Sequence, residues 1–411
     1  MNKKNWQINN AKIILPEKSL PGGCQISKGE ISKLLGPNET LPDQLSLNLN
    51  GLALYPGLIN AHDTLMATYH PFRGENTPYH NWLAWDNELK SSDLFKERML
   101  LEIEQLYLLG AYKNILGGST TVVDHIPHFV RKKIGESLPV TLLPDFGISH
   151  SVCSYALNWG EGIRKEYDRA EKSGLPYITH IAEGNDRESV ESLTILEEKS
   201  GLGENSVLVH GLSLSDTDLE KIADAGASLV WCPSVNMHLY HKTMPIQSAF
   251  KHGINVTLGT DSAMSGSTNL LNEMRFAADY YQKEYGESLS DRKLFEMVTV
   301  NSARAFKMEG RGMIAEKCAA DLLILANKDA GDPYRALLEA RPEDIYLLVR
   351  DGNPLFGAEE LEPIFQEMEI ATDKIIVNGT RKIICGGIRN LLDSIVAVTG
   401  IRREFPFLPV N

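Results

Sequence analysis

Cysteine is scarce in this sequence, and long apolar runs are missing from it. The five cysteines are odd in number, scattered and without CxxC spacing, which excludes a disulfide framework and indicates free thiols in a reducing compartment. No apolar run approaches the roughly 18 residues that span a bilayer. The segment MNKKNWQINN lacks the apolar stretch of a secretory signal. We therefore expect a cytoplasmic protein without a membrane-spanning segment.

Clusters of basic residues are also missing. Lysine and arginine number 41 and aspartate and glutamate number 54, so the formal net charge is 41 − 54 = −13. Nucleic acids and anionic membrane surfaces bind basic patches through their phosphates. The absence of basic clusters therefore predicts that neither nucleic acids nor membranes are partners of this protein.

The 411 residues, of which 43% are hydrophobic, provide ample material for a large core. Short alternating strands with Gly, Pro and Asn between them occupy residues 1–56 and return over 310–385. Between them, over 57–309, short apolar strands alternate with amphipathic helices, which is typical of a parallel α/β barrel. We predict a TIM-like (β/α) barrel, a small composite β-sandwich built from both termini, and a C-terminal tail over 386–411.

Seven segments of the middle region have clear strand character. In chain order they are LYPGLINAH, STTVVDH, VTLLPDFGIS, PYITHIAE, SVLVHG, ASLVWCP and NVTLGTDS. Five of them carry an ionisable group near their carboxyl end, namely His62, His125, His180, His210 and Asp261. The carboxyl ends of barrel strands open on one face, where such barrels place their active sites.

This set of side chains is suited to a metal ion. Imidazole nitrogens and a carboxylate are good ligands for Zn²⁺ or Fe²⁺, and such an ion activates water for attack. Glu183, three residues after His180, is placed to move a proton to a leaving nitrogen. A solvated loop carboxylate is the alternative interpretation of Glu183.

The chain resembles the amidohydrolase superfamily, in the branch of cytosine deaminase, S-adenosylhomocysteine deaminase and the triazine hydrolases. The resemblance lies in PGLINAHDT, TTVVDH, THIAEG, VLVHG, CPSVN, LGTDS, GMI with AADLLIL, and IIVNG, in the expected order over roughly residues 50–380. It implies a barrel with a composite β-sandwich, a small-molecule substrate and a homodimer.

The resemblance also implies a role for each matching residue. His62, His180 and Asp261 would bind the metal, and Asp261 would also accept a proton from water. His210 would assist the water and the substrate, and Glu183 would pass a proton to the substrate ring. No lysine stands where two-metal members have a bridging one, so one divalent ion, zinc or iron, is implied. Asn236 falls where the branch has the Asn of a PSSN-like segment, and we predict that it binds substrate with His125 and Trp85.

Thr64 departs from the HxH pattern of the family. Residues 62 and 64 of a strand point to the same side, so Thr64 replaces an inward-facing ligand and Asp63 points away. Four outcomes stay open: His210 becomes a full ligand, His125 reaches in from the second strand, water fills the position, or the metal is lost.

The spacing is a second departure. From Asp124 to His180 there are 180 − 124 = 56 residues, where this branch has two strands, yet only VTLLPDFGIS is convincing. We predict a shortened barrel with a reduced third βα unit and a wider opening beside His125 and His128. The loop after the first strand, with His80, Trp82 and Trp85, is either a lid over the substrate or a loop held by aromatic packing on the barrel.

The leading hypothesis is a metal-dependent hydrolase of non-peptide C–N bonds, a deaminase or amidohydrolase of a small nitrogen heterocycle or cyclic amide or amidine. The rival hypothesis is a catalytically impaired or metal-free relative that binds a similar ligand in a regulatory role. Thr64 favours the rival. The retained acid and base residues Glu183, His210 and Asp261 favour the enzyme.

Overall fold

The computed structural model describes residues 5–73, 77–131, 134, 138–326 and 331–408. Strands from both ends of the chain form one mixed sheet in these ranges. The N-terminal strands are β1 (Trp6–Ile14), β2 (Ser19–Ser27), β3 (Glu30–Leu35), β4 (Leu45–Asn48) and β5 (Ala53–Pro56). The central strands are β6 (Leu58–Asp63), β7 (Ser119–Asp124), β8 (Thr141–Leu142), β9 (Gly147–Ser151), β10 (Tyr177–Ile181), β11 (Ser206–His210), β12 (Ser228–Trp231) and β13 (Asn255–Leu258). The C-terminal strands are β14 (Leu322–Leu325), β15 (Ile345–Arg350), β16 (Asn353–Ala358), β17 (Thr372–Val377) and β18 (Thr380–Cys385).

The terminal sheet has the strand order β17-β18-β16-β15-β14-β5-β1-β2-β3, and β4 pairs with β1. Strand β5 joins its two halves, because it pairs in parallel with β1 and antiparallel with β14. The indole nitrogen of buried Trp6 donates to the carbonyl of Gly352 at 2.9 Å, which also links the two ends of the chain. This confirms that the smaller unit is composite, and it consists of a mixed sheet.

The central strands are parallel and form the barrel. Strands β6, β7 and β8 pair in that order, and β13, β12, β11, β10 and β9 form the other sheet. A parallel bridge between Asp63 and Asp261 joins β6 to the end of β13. The strands are buried on both faces, which explains their nearly continuous apolar sequences.

The predicted strand VTLLPDFGIS is two short strands in the structure, β8 and β9. Its first part, β8, pairs with β7, and its second part, β9, pairs with β10. No helix lies between them, over residues 143–146, and Pro144 there has no backbone N–H to donate. The described residues therefore contain eight parallel barrel strands, β6 to β13, one more than the seven segments identified from the sequence, and the unit between β8 and β9 is reduced as predicted.

The helices surround the barrel and close its ends. They are α1 (Trp82–Ser91), α2 (Asp93–Arg98), α3 (Ile103–Leu116), α4 (His128–Arg131), α5 (Ile163–Ser173), α6 (Arg187–Glu198), α7 (Asp216–Asp224), α8 (Pro233–Tyr240), α9 (Ile246–Lys251), α10 (Leu270–Tyr285), α11 (Asp291–Met297), α12 (Val300–Ala305), α13 (Pro333–Glu339), α14 (Glu362–Glu367) and α15 (Ile388–Thr399). Short 3₁₀ turns occupy Leu65–Ala67, Pro342–Asp344 and Glu359–Leu361. The tail contains α15, whose Ser394 accepts a hydrogen bond from Gln105 of α3 at 2.9 Å. Among the described residues, no helix is both long and apolar enough to cross a membrane.

Candidate metal and catalytic site

The ionisable side chains at the strand ends converge at one end of the barrel. His62, His180 and His210 lie in the last residues of β6, β10 and β11, and His125 directly follows β7. Asp261 comes three residues after β13. The structure therefore brings together five side chains that are far apart in the sequence.

Three backbone positions at these ends are left-handed although none is glycine. Ala182, His210 and Asp261 have φ values of 49°, 80° and 52°. Such conformations cost about 1–3 kcal/mol each and persist only where the surroundings enforce them. They turn the chain sharply at the strand ends, so the following side chains, including Glu183, return over the barrel mouth.

Three imidazole rings form the centre of the site. Nε2 of His180 lies 3.3 Å from Nδ1 of His125 and 3.4 Å from Nε2 of His62. Burial lowers the pKa of His125 to about 3, and burial together with the neighbouring rings holds the pKa of His62 and His180 well below the usual value. The rings are therefore neutral at pH 7 and present lone pairs, the form in which histidine binds metals.

Two carboxylates border the imidazoles. Oδ1 of Asp261 lies 3.7 Å from Nε2 of His62, and Oε2 of Glu183 lies 3.7 Å from Nδ1 of His180. Burial raises the pKa of both carboxyl groups. The hydroxyl of Tyr240 donates to Oε1 of Glu183 at 2.7 Å and orients that carboxyl group. Raised pKa values suit groups that must exchange protons near neutral pH.

His210 has a fixed orientation. Its Nδ1 lies 2.9 Å from Oδ1 of Asn236, a contact in which the ring N–H donates to the amide oxygen. The other ring nitrogen, Nε2, then faces the site at 3.6 Å from Oε1 of Glu183. Asn236 is fully buried, and this contact orients His210.

The side chains of Asp63 and Thr64 point in opposite directions, as the alternation of side chains along a strand predicts. Asp63 points away from the site, to Nζ of Lys113 at 2.6 Å and Nδ2 of Asn114 at 2.6 Å. Thr64 faces the site and its hydroxyl donates to Oδ1 of Asp261 at 3.3 Å. Thr64 thus positions a carboxylate where the family pattern has a histidine.

Trp85 and His125, the two other predicted substrate contacts, are both buried in this structure. Trp85 packs against Tyr79 with ring centroids 5.5 Å apart, whereas Trp82 faces His150 at 4.3 Å. Three residues along a helix correspond to about 300°, so Trp82 and Trp85 lie about 60° apart around α1, and it is Trp82 that contacts His150. His125 belongs to the imidazole cluster instead of lining its entrance.

The wider opening predicted beside His125 is filled. His125 is 3% exposed and lies 5.4 Å from the ring of Trp159 and 6.4 Å from that of Phe146. His128 is partly exposed, and its Nε2 contacts the carbonyl of Phe146 at 2.8 Å. These aromatic rings pack near the short connection between β8 and β9, which contains no helix.

Sequence reasoning missed three side chains around the site: His150, Tyr240 and Lys113. The ring of His150, near the end of β9, lies 5.3 Å from that of His180. The sequence did contain a sign of His150, because VTLLPDFGIS continues directly into it, so this predicted strand is also followed by a histidine. Tyr240 and Lys113 lie in helical segments with no local feature that marks them.

Three overlapping groups among the described residues could each hold a metal ion, because the ligand atoms within each group lie within 4.8 Å of one another. The groups are His62, His125 and His180; His62, His210 and Asp261; and His180, Glu183 and His210. Their nitrogen and oxygen donors match the preferences of Zn²⁺ and Fe²⁺.

Gly259 allows β13 to approach this cluster. A Cβ atom at this position would lie 2.7 Å from both the Cβ and the backbone nitrogen of His62. We expect Gly259→Ala to lower the free energy of unfolding by about 1–3 kcal/mol, because relief of the overlap must displace β6. Urea titration followed by tryptophan fluorescence measures the change. Gly331→Ala, where a Cβ would have open space, is the matched control, and equal stability of the two variants would contradict this packing.

Comparisons with known proteins agree with this geometry. A family model described as "Amidohydrolase family" matches residues 150–381, more than half of the chain. A 5-methylthioadenosine/S-adenosylhomocysteine deaminase of Pyrococcus abyssi is 30% identical over 207 residues, which are 46% of this chain and 48% of that protein. The enzyme of the same name from Caldicellulosiruptor saccharolyticus is 24% identical over 413 residues, with 87% of this chain and 94% of the relative covered.

A solved structure with a similar fold is that of an atrazine chlorohydrolase from Arthrobacter aurescens complexed with zinc. The TM-score is 0.72 at 17% identity, with 96% of this chain and 99% of that chain covered. At this identity the likeness supports the barrel with its composite sheet.

Proposed function

The chain belongs to the amidohydrolase family, and from this premise we propose that it is a metal-dependent hydrolase that deaminates a nitrogen heterocycle. Its relatives are named deaminases, and the chain is accordingly an enzyme that acts on non-peptide C–N bonds. One observation carries the proposal: neutral imidazoles, Asp261 and Glu183 meet at the mouth of one barrel.

His62, His180 and Asp261 would hold the metal ion. Their donor atoms suit zinc and iron alike, and we propose zinc because the atrazine chlorohydrolase of similar fold is complexed with it. When bound, the ion would supply the positive charge that activates water for attack on carbon.

The chain's own residues would carry the protons. Asp261 would take a proton from the attacking water, and the hydroxyl of Thr64 at 3.3 Å holds its carboxylate in place. Glu183 would give a proton to the ring nitrogen, with its carboxyl group oriented by Tyr240. His210, fixed by Asn236, would orient the water through Nε2. The balance is one water consumed and one ammonia released for each amino group replaced by oxygen.

A planar heterocycle is the proposed substrate. The rings of Trp82 and Trp159 lie 4.3 Å and 4.6 Å from the ring of His150, which in turn lies 5.3 Å from His180. Aromatic rings beside the imidazole cluster offer stacking surfaces for a flat ring. The names of the relatives favour an aminopurine nucleoside among such substrates.

Removal of the metal provides the test. We expect protein dialysed against a chelator to release no ammonia from 5-methylthioadenosine, 5′-deoxyadenosine, adenosine or cytosine, and to regain activity with one equivalent of Zn²⁺ or Fe²⁺. A coupled ammonia assay measures the release, and the ion that restores the higher rate identifies the metal. If metal-loaded protein binds one of these compounds but releases no ammonia, the ligand-binding rival is correct.

A further inference from the structure

The contacts of His180 cannot all be hydrogen bonds. Its Nε2 lies 3.3 Å from Nδ1 of His125 and 3.4 Å from Nε2 of His62. A ring nitrogen carries either one hydrogen or one lone pair, both directed along a single line in the ring plane. Nε2 of His180 can therefore form a hydrogen bond with only one of these two neighbours. In the remaining contact, two ring nitrogens face each other without a hydrogen between them. A cation bound among the nitrogens would engage the lone pairs that this arrangement leaves without a hydrogen.

The separations also match a coordination shell. Ligand atoms about 2.1 Å from a tetrahedral zinc ion lie roughly 3.4 Å from one another. The two observed separations along His125, His180 and His62 are 3.3 and 3.4 Å. We propose that His125 is a metal ligand together with His62 and His180, the three imidazoles whose ligand atoms lie within 4.8 Å of one another. This inference rests on the proposed metal-dependent function and adds a ligand to it.

The arrangement of Thr64 supports this ligand set. Its hydroxyl donates to Oδ1 of Asp261 at 3.3 Å, and its backbone N–H donates to the carbonyl of Asp261 at 2.8 Å. Thr64 thus secures one ligand and provides no imidazole of its own. His125, which follows the neighbouring strand β7, supplies the nitrogen instead. The ring enters through Nδ1, whereas His62 and His180 enter through Nε2.

His210 is the competing fourth ligand, and its contacts assign it a different position. Its Nδ1 is engaged by Asn236 at 2.9 Å, and its Nε2 lies 3.6 Å from Oε1 of Glu183. This places His210 beside the proton-carrying carboxyl group. The ring of His125 is buried against His180, Phe146 and Trp159 and contacts no carboxylate among the described ion pairs.

Metal binding by the full chain tests the proposal. We expect His125→Ala to weaken zinc binding, measured by chelator competition, by more than the roughly 10–100-fold that loss of an outer hydrogen-bonding partner costs. His125→Asn is the conservative variant, and its Co²⁺ complex should differ from the wild-type complex in visible absorption because one ring nitrogen is replaced. His128→Ala removes a histidine only three residues away, bonded to the carbonyl of Phe146, and should bind zinc as the wild type does.

Two results would overturn the proposal. One is wild-type zinc affinity in His125→Ala with an unchanged cobalt spectrum in His125→Asn. The other is loss of zinc in His210→Ala alone, which would make His210 the fourth ligand. Binding is measured apart from turnover, so the two proposals can fail separately. Protein that holds zinc through His125 but releases no ammonia contradicts only the proposed function, and protein that releases ammonia with zinc bound independently of His125 contradicts only this inference.

Discussion

Glu183→Gln is expected to lower kcat for ammonia release by about 10²–10⁴-fold while the protein keeps its metal, because a positioned proton-transfer group contributes that much to rate. Glutamine preserves the size of the side chain and can still accept the hydrogen bond from Tyr240, which lies 2.7 Å from Oε1. It cannot deliver a proton to the substrate ring. The loss should therefore appear in kcat, with substrate affinity changed much less.

Steady-state kinetics and metal analysis of the same preparations measure this effect. Glu191→Gln is the matched control, since Glu191 lies on α6 in an exposed ion pair with Arg187 at 2.8 Å. It should keep the wild-type kcat. A Glu183→Gln enzyme with more than a tenth of wild-type kcat would remove Glu183 from the proton pathway and favour His210 as the acid.

Lys113→Met is expected to destabilise the fold by about 3–5 kcal/mol, the effect of leaving one partner of a buried ion pair uncompensated. Both side chains of the Lys113–Asp63 pair are fully buried, with Nζ and Oδ1 2.6 Å apart. Asn114 donates to the other oxygen of Asp63 at 2.6 Å. The carboxylate would be left without a counter-ion beside His62 and Thr64, so the end of β6 should loosen and metal binding should weaken.

Urea unfolding provides the measurement, with Lys165→Met as the control. Lys165 is also helical and ion-paired, to Glu161 at 3.6 Å, but its side chain is 72% exposed. Its loss should change stability by less than about 0.5 kcal/mol. The double variant Asp63→Asn with Lys113→Met removes both charges and should be more stable than Lys113→Met alone. A single variant as stable as the control would show that Asp63 is solvated.

Local patterns in the chain predicted the elements that place the site. The short apolar strands with an ionisable residue at their ends were found from sequence, because parallel strands are buried on both faces and need no distant information to be recognised. Strand alternation also predicted that Asp63 points away and Thr64 inward, which the contacts to Lys113 and Asp261 show. The missing third helix followed from the 56-residue spacing alone.

Local sequence patterns could not predict the contacts of several side chains. Trp82 and Trp85 are three residues apart, and only the packing of α1 decides which of them faces His150. The hydrogen bond that Asn236 accepts from His210 was not predicted, because the position of α8 over the barrel is a tertiary property.

The sequence by itself determined the family, the parallel barrel, the face on which the site lies and the chemical types of its side chains, because each of these depends on short motifs, on periodicity or on residues adjacent in the chain. Only the tertiary structure decided which histidines meet. His62, His125 and His180 lie at the ends of three strands and are more than 50 residues apart in the chain, and their 3.3 and 3.4 Å contacts follow from the pairing of those strands in the barrel. Which imidazole replaces the one that Thr64 lacks is therefore decided by distances between strand ends, and Nδ1 of His125 lies 3.3 Å from Nε2 of His180.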